Sequence, residues 1–197
     1  REVATLVADE ACAVGGEAGA DLGEVGRHTA YWECAEAGGQ GVAGYVVDHP
    51  ETVRGKAVVD LGAGSGRVAI AVMMAGASHV TAADPDPWAG AAIGLNAVLN
   101  GVSVTAIAED VLDQSGTGFE TVLVGDLFYD RPIARRLLGF LERCSASGAT
   151  VLIGDPGRSY LPKDRLEKVS DYSVPTTRAL EDAEIKRTAV WRLAVTL

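Results

Sequence analysis

The sequence predicts an open, mostly parallel α/β sheet with helices on both faces and an antiparallel hairpin at its C-terminal end. Three observations predict it. First, five short apolar runs, Lys56–Leu61, Ser78–Ala83, Val102–Ala108, Phe119–Gly125 and Ala149–Gly154, follow one another at intervals that leave room for helices. Second, the stretches Val68–Ala75, Asp86–Asn100 and Arg131–Cys144 between them have helical length and composition. Strands alternating with helices make parallel sheets, because each crossover helix returns the chain to the same end of the sheet. Third, the pattern changes near the C-terminus. Lys168–Ser173 and Lys186–Thr196 read as strands joined by a charged segment too short for a packed crossover helix, so they pair as a hairpin.

Ahead of this regular region the signals are weaker. Val3, Leu6, Val7 and Cys12 fit a helical stripe over about residues 2–13, which Gly15-Gly16-Glu17-Ala18-Gly19 should break. A second helix is expected from Gly39 to Asp48, with Pro50 as its stop. Residues 1–37 are therefore read as a helical or irregular N-terminal segment, and 38–197 as one globular domain.

Composition narrows the function. The chain has 197 residues, a length at which a single domain buries roughly 70% of its unfolded surface without needing disulfides. Its 27 acidic residues against 17 basic ones give a net charge of −10, which disfavours nucleic acid as a partner, since that binding rests on clustered Lys and Arg. No run reaches the ~18 apolar residues of a membrane span. Arg1, Glu2, Asp9 and Glu10 flank a short apolar run unlike a signal peptide. Cys12, Cys34 and Cys144 are odd in number and widely spaced, which suits small buried hydrophobes in a reducing, cytoplasmic compartment. His28, His49 and His79 stand apart from one another and from any metal-ligand spacing, so no metal is expected and each is read as a surface or helix-end residue.

The chemistry concentrates at strand ends. Asp60-Leu61-Gly62-Ala63-Gly64-Ser65-Gly66 closes the first strand and opens a helix. Glycines are needed where the backbone passes close to a ligand, and the helix behind them offers unpaired N–H groups. The spacing is GxGxG rather than the GxGxxG of a pyrophosphate-binding turn, which argues against a dehydrogenase. Asp84 ends the second strand, where a carboxylate can accept both hydroxyls of a ribose. Asp110 follows the third strand and is placed to accept from an adenine amino group. Three such positions at successive strand ends define one crevice. Trp88, just past the acidic loop, is read as core packing, with adenine flanking as the other reading, and Trp191 as sheet core.

These residues resemble the class I S-adenosylmethionine-dependent methyltransferases, a Rossmann-like fold whose seven-stranded sheet ends in a reversed hairpin. A narrower resemblance rests on Gly38-Gly39-Gln40, Arg54-Gly55-Lys56, Gly125-Asp126-Leu127-Phe128-Tyr129-Asp130, Val151-Leu152-Ile153-Gly154-Asp155-Pro156-Gly157-Arg158 and Thr188-Ala189-Val190-Trp191. Together they are similar to the lysine methyltransferases of the electron transfer flavoprotein β-subunit, within the seven-strand protein methyltransferases marked by Asp-x-x-Tyr after the fourth strand. The resemblance implies S-adenosylmethionine as methyl donor and S-adenosylhomocysteine as product. It implies that Asp60, Gly62, Gly64, Gly66, Asp84, Pro85, Asp110, Gly39 and Gln40 hold the cofactor, and that Asp126 and Tyr129 carry the acceptor chemistry. Trp32, Glu33, Glu36, Phe128 and Arg158 are then expected around the substrate. One segment departs from the family. Its aromatic approach, roughly Trp-Ala-Phe-Trp-Trp-Pro, is here Trp32-Glu33-Cys34-Ala35-Glu36-Ala37, which implies a remodelled substrate mouth.

A lysine acceptor sets a physical problem. With an unperturbed pKa of about 10.4, deprotonating it at pH 7 costs about 4.6 kcal/mol. Asp126 can orient an ammonium by a charge-assisted hydrogen bond, yet a carboxylate also raises the pKa of the amine it holds. Positioning, rather than a dedicated strong base, is therefore the expected contribution, with packing of Tyr129 and helix capping by Asp126 as the plain structural reading of that motif. The partner is a protein bearing the lysine, or, for a remodelled mouth, a small molecule or peptide. A non-catalytic cofactor-binding subunit is the reading of another class, against which the intact Gly62, Gly64, Gly66, Asp84, Asp126 and Tyr129 argue.

Overall fold

A computed structural model describes residues 3–4, 36–176 and 185–194. Within them the chain runs α1 (Ala37–Asp48), β1 (Ala57–Leu61), α2 (Arg67–Met74), β2 (His79–Ala83), α3 (Pro87–Leu99), β3 (Thr105–Ile107), β4 (Thr121–Gly125), α4 (Arg131–Ala146), β5 (Thr150–Asp155), β6 (Leu166–Pro175) and β7 (Ile185–Leu193). Of the expected helix over residues 2–13 only 3–4 are described, and they are not helical; its other residues lie outside the described ones, as do Trp32 and Glu33.

The seven strands lie in the order β3-β2-β1-β4-β5-β7-β6. β1 to β5 are parallel; β7 runs antiparallel to both β5 and β6, so the predicted hairpin closes one edge. The order reverses between β1 and β4. At such a switch point the crossover helices leave to opposite faces and open a crevice beyond the strand C-termini.

Burial follows the strand period. Val58, Leu123, Leu152 and Val190 face one apolar cluster, shared with α1, α2 and α3. Val59, Leu61, Val122, Val124, Val151 and Ile153 face another, where Leu137, Phe140, Leu141 and Cys144 of α4 pack. All five β4 residues are buried, as a central strand covered on both faces requires. Cys144 is a buried, unpaired thiol, and burial pushes its pKa up to about 11.

Three boundaries differ from the sequence reading, each for a physical reason. Helix α1 starts at Ala37, so Gly38 and Gly39 lie inside its first turn. β3 is only three residues long, because Gly101 and Val102 end α3 instead: Gly101 N–H donates to Val98 O and Val102 N–H to Ala97 O, both at 3.1 Å, with Gly101 at φ 64°. That is the two-bond left-handed cap that satisfies a helix's last carbonyls. β6 extends to Leu166 and Pro175 because it pairs along nearly all of β7, with a bulge between Lys168 and Ser170. His49 caps the end of α1 and His79 opens β2, as expected of helix-end and surface positions. Trp191 is only partly buried; it pairs with Ile153 in register, and its indole N–H has no partner among the described residues.

Candidate active site at the sheet switch point

The first half of the site lies past β1 and β2. Gly62, Gly64 and Gly66 all have left-handed backbones, at φ 63°, 50° and 81°. Side chains resist that region, so the loop needs glycine at each turn. Gly66 then caps α2 without a side chain of its own. The missing partner comes from Asp60, whose Oδ2 accepts from the Ala69 N–H at 3.1 Å. Asp60 is 1% exposed, and burial, opposed by that bond and reinforced by nearby Asp84, pushes its pKa up to about 8.

Asp84 ties the loop from the other side. Its Oδ2 accepts from the Gly64 N–H and its Oδ1 from the Asp86 N–H, each at 2.9 Å. Burial raises its pKa too, against those two bonds. Asp86 caps α3 through the Trp88 N–H at 2.9 Å, and Pro85 and Pro87 are exposed in the same turn. Trp88 itself is 56% exposed at the start of α3 and belongs to neither apolar cluster, which corrects the core-packing reading.

The second half lies past β4 and β5. Asp126, 2% exposed, is the one non-glycine residue with a left-handed backbone among the described residues, at φ 56°. Aspartate tolerates that region better than most residues, and such strain persists where the surroundings impose it. Here they do: its N–H donates to Gly154 O at 2.9 Å. Its side chain does not cap α4. That task falls to Asp130, which accepts from the Ile133 N–H at 3.0 Å. Instead Asp126 takes both arms of Arg158, Nε to Oδ1 at 2.6 Å and Nη2 to Oδ2 at 2.8 Å. Arg158, expected at the substrate, is thus an ion-pair partner of the motif aspartate.

Glycines set the spacing in this half as well. A Cβ on Gly38 would strike Gly154 O and lie 2.6 Å from Asp126 N; one on Gly125 would lie 2.7 Å from the Gly39 Cα. The first turn of α1 therefore rests backbone to backbone on the ends of β4 and β5, and Gly39 is spent on that contact. Gln40 donates from Nε2 to Pro175 O at 2.9 Å, which aims it at the hairpin. Glu36 precedes α1 and is partly buried. The halves meet where Leu127 covers Gly62, whose Cβ would come 2.7 Å from the leucine side chain.

Two further residues behave differently from expectation. Phe128 is fully buried in the α4 cluster, a core residue rather than a substrate contact, because the chain must anchor between Asp126 and α4. Tyr129, next along, is 38% exposed. Asp110 binds Arg136 of α4 at 2.8 Å and the Leu112 N–H at 3.1 Å, so its oxygens help build the loop after β3. Asp155, read from the sequence as part of the Asp155-Pro156-Gly157-Arg158 turn, was not among the expected site residues. Its signal is a repeat: Gly125-Asp126 and Gly154-Asp155 end adjacent strands, and the two glycines pair in register.

Residues 47–126 match the ribosomal protein L11 methyltransferase family. The electron transfer flavoprotein β-subunit lysine methyltransferase of Rattus norvegicus is 40% identical over 167 residues, 82% of this chain and 66% of that protein. The Xenopus laevis protein of the same name is 37% identical over 82% of this chain and 68% of its own length. Magnesium protoporphyrin IX methyltransferase from Synechocystis, solved with bound SAM, superposes at a TM-score of 0.56 with 17% identity, covering 79% of this chain and 78% of that one, a likeness of fold alone. The chain spans only about two thirds of the length of the curated relatives it matches. On this evidence the chain belongs to the electron transfer flavoprotein β-subunit lysine methyltransferase family, within the class I S-adenosylmethionine-dependent methyltransferases.

Proposed function

We propose that this protein transfers a methyl group from S-adenosylmethionine to the side-chain nitrogen of a lysine on a protein, electron transfer flavoprotein β-subunit being the substrate its relatives' names point to. The residues present fit that cofactor. Three left-handed glycines turn the backbone from the end of β1 into the first turn of α2, whose N–H groups face the loop. Among the described residues Asp60 and Asp84 beneath it make no Lys or Arg ion pair, so the loop offers a diphosphate no cation. Asp84 would accept from the ribose hydroxyls, with Pro85 shaping the turn, Trp88 flanking the base and Asp110 near the adenine amino group. When bound, the cofactor supplies a methyl group on a sulfonium that an amine can take by in-line displacement.

The chain's part is placement. The observation that carries this reading is the buried Asp126, held left-handed across the switch point from the glycine loop. Each of its oxygens uses one lone pair on Arg158 and keeps another for an incoming N–H. Tyr129, half exposed beside it, offers a hydroxyl and an apolar ring to the lysine stem. A nitrogen held about 3 Å from the methyl carbon gains most of its rate from orientation.

The test is to incubate the purified chain with methyl-labelled S-adenosylmethionine and recombinant electron transfer flavoprotein β-subunit. Mass spectrometry should find the label on lysine. Label recovered only in small molecules, when a desalted extract is added, would move the acceptor to the alternative the remodelled 32–37 segment allows.

A further inference from the structure

We propose that Arg158 is a positioning residue that cancels the charge of Asp126 so that the docked lysine is held without being kept protonated, and that Asp155 fixes Arg158 in that place. The inference rests on the lysine-methylation reading and deepens it. Alone, a buried aspartate would solve orientation and worsen deprotonation, because a carboxylate stabilises the ammonium that must lose its proton. The guanidinium removes that conflict. It meets both carboxylate oxygens side-on, at 2.6 and 2.8 Å, and leaves each oxygen one lone pair. The acceptor then finds a hydrogen-bond acceptor inside a pair of net charge zero.

The arginine is itself held in place. Asp155 Oδ1 accepts from the Gly157 N–H at 2.6 Å and from the Arg158 N–H at 2.7 Å, so the turn that launches the arginine hangs from the end of β5. Asp155 is 1% exposed, and its Oδ2 is buried with no partner among the described residues. A carboxylate left half unsatisfied in the interior is costly, and the turn is what it secures. β4 and β5 place Asp126 and Asp155 side by side, since Gly125 and Gly154 pair in register. On the elements packed against the pair, Asp155 ends β5 and feels both members, Asp60 lies on β1 beside β4, Glu36 precedes α1, and Tyr129 and Asp130 follow on the motif's own loop.

The step balances without an added base. The ammonium releases one proton to water. The lone pair of the neutral amine then forms the N–C bond as the C–S bond breaks, its electron pair staying on sulfur, and the product is a methylammonium plus a neutral thioether.

The test reads kcat against pH at saturating β-subunit and S-adenosylmethionine, because that profile reports groups in the bound complex. In Arg158→Gln the acidic limb should move up by about one pH unit, the size expected for losing a neighbouring opposite charge. Arg158→Lys should return the limb to within about 0.3 units of wild type at reduced kcat, since it restores the charge but not the two-armed geometry. Asp155→Ala, which removes the acceptor of the Gly157 and Arg158 N–H groups, should shift the limb in the same direction by less. S-adenosylhomocysteine affinity should stay constant throughout. A limb that stays put in Arg158→Gln and in Asp155→Ala would overturn the proposal, as would a rise in kcat/KM, which would make Arg158 a competitor that the lysine displaces. If Arg158→Gln fails to fold, Asp155→Ala alone carries the reading, and a limb that stays put there overturns the proposal. Failure of the wild-type chain to methylate any lysine, with S-adenosylhomocysteine still bound, would sink the acceptor reading itself, a distinguishable result.

Discussion

The two halves of the crevice hold their carboxylates by opposite means. Past β1 and β2, Asp60 and Asp84 are satisfied by backbone N–H groups of Ala69, Gly64 and Asp86, at sequence separations of 9, 20 and 2 residues. Past β4 and β5, Asp126 is satisfied by a guanidinium 32 residues away. Backbone donors cannot be mutated away and carry no full charge, so the first half holds its acids without a side-chain cation among the described residues, and Asp60 keeps its proton up to about pH 8. In the second half Asp126 carries its own cation.

Breaking the scaffold under the second half should have the largest effect. Gly38→Ala or Gly154→Ala forces a Cβ into backbone that has no flexible side chain to yield. The expected loss is about 3 kcal/mol, the upper end of overpacking, and a fall of roughly 6–12 °C in Tm by calorimetry. Gly62→Ala should cost less, because the neighbour it meets is the Leu127 side chain, which can move; only the left-handed backbone at φ 63° resists, by about 1–2 kcal/mol.

The ion pair comes next, and it should be asymmetric. Arg158→Ala strands a carboxylate that is 1% exposed, whereas Asp126→Ala releases a guanidinium that is 35% exposed and can rehydrate. Denaturant unfolding should show the arginine variant less stable than the aspartate variant, by about 1–2 kcal/mol. Equal losses would mean that Asp126 finds other partners and that the pair does not neutralise this half.

How much of this was legible follows the same division. The glycine loop could be read because its logic is local, a strand, a turn and a helix cap within a dozen residues, and Asp84 because it ends the next strand. The hairpin was readable from the length of its connection. Asp126 was readable as a motif, but not its partner, since nothing in Asp155-Pro156-Gly157-Arg158 shows that the arginine turns back across β5 to β4. Phe128 misled because an aromatic residue inside an acceptor motif and one anchoring a helix look alike without burial. The contact of Gly39 with Gly125 and of Gln40 with Pro175 O was not readable, because the first turn of α1 meets the sheet there, a tertiary contact with no sequence period.

Asp60 sharpens the comparison through pH. Its pKa, ordinarily 3.8, is pushed up to about 8 by burial, so the folded state holds the proton that the unfolded chain gives up. The stability this group contributes is complete below pH 3.8 and is lost as pH rises toward 8. Between these limits the loss is at most about 1.4 kcal/mol per pH unit. Asp60→Asn keeps an acceptor for the Ala69 N–H and removes the titration. Subtracting its Tm from wild type, without ligand, should give a difference that falls steadily from pH 5 to pH 8. A flat difference would place a cation beside Asp60 and end the contrast between the halves.

The smallest effect on stability belongs to Trp88, and it tests whether the first half uses any side chain besides its acids. The ring is 56% exposed, and the cap to Asp86 runs through the backbone N–H, which alanine keeps. Trp88→Ala should therefore change unfolding free energy by no more than about 0.5 kcal/mol. Removing an aromatic face from a nucleoside base typically costs about 1–3 kcal/mol, so the Kd for S-adenosylhomocysteine by calorimetry should rise about five- to 150-fold. An unchanged Kd would put the base on the other side of the acidic turn, toward Asp110 and Arg136, and would leave backbone and carboxylate as the whole of the nucleoside site.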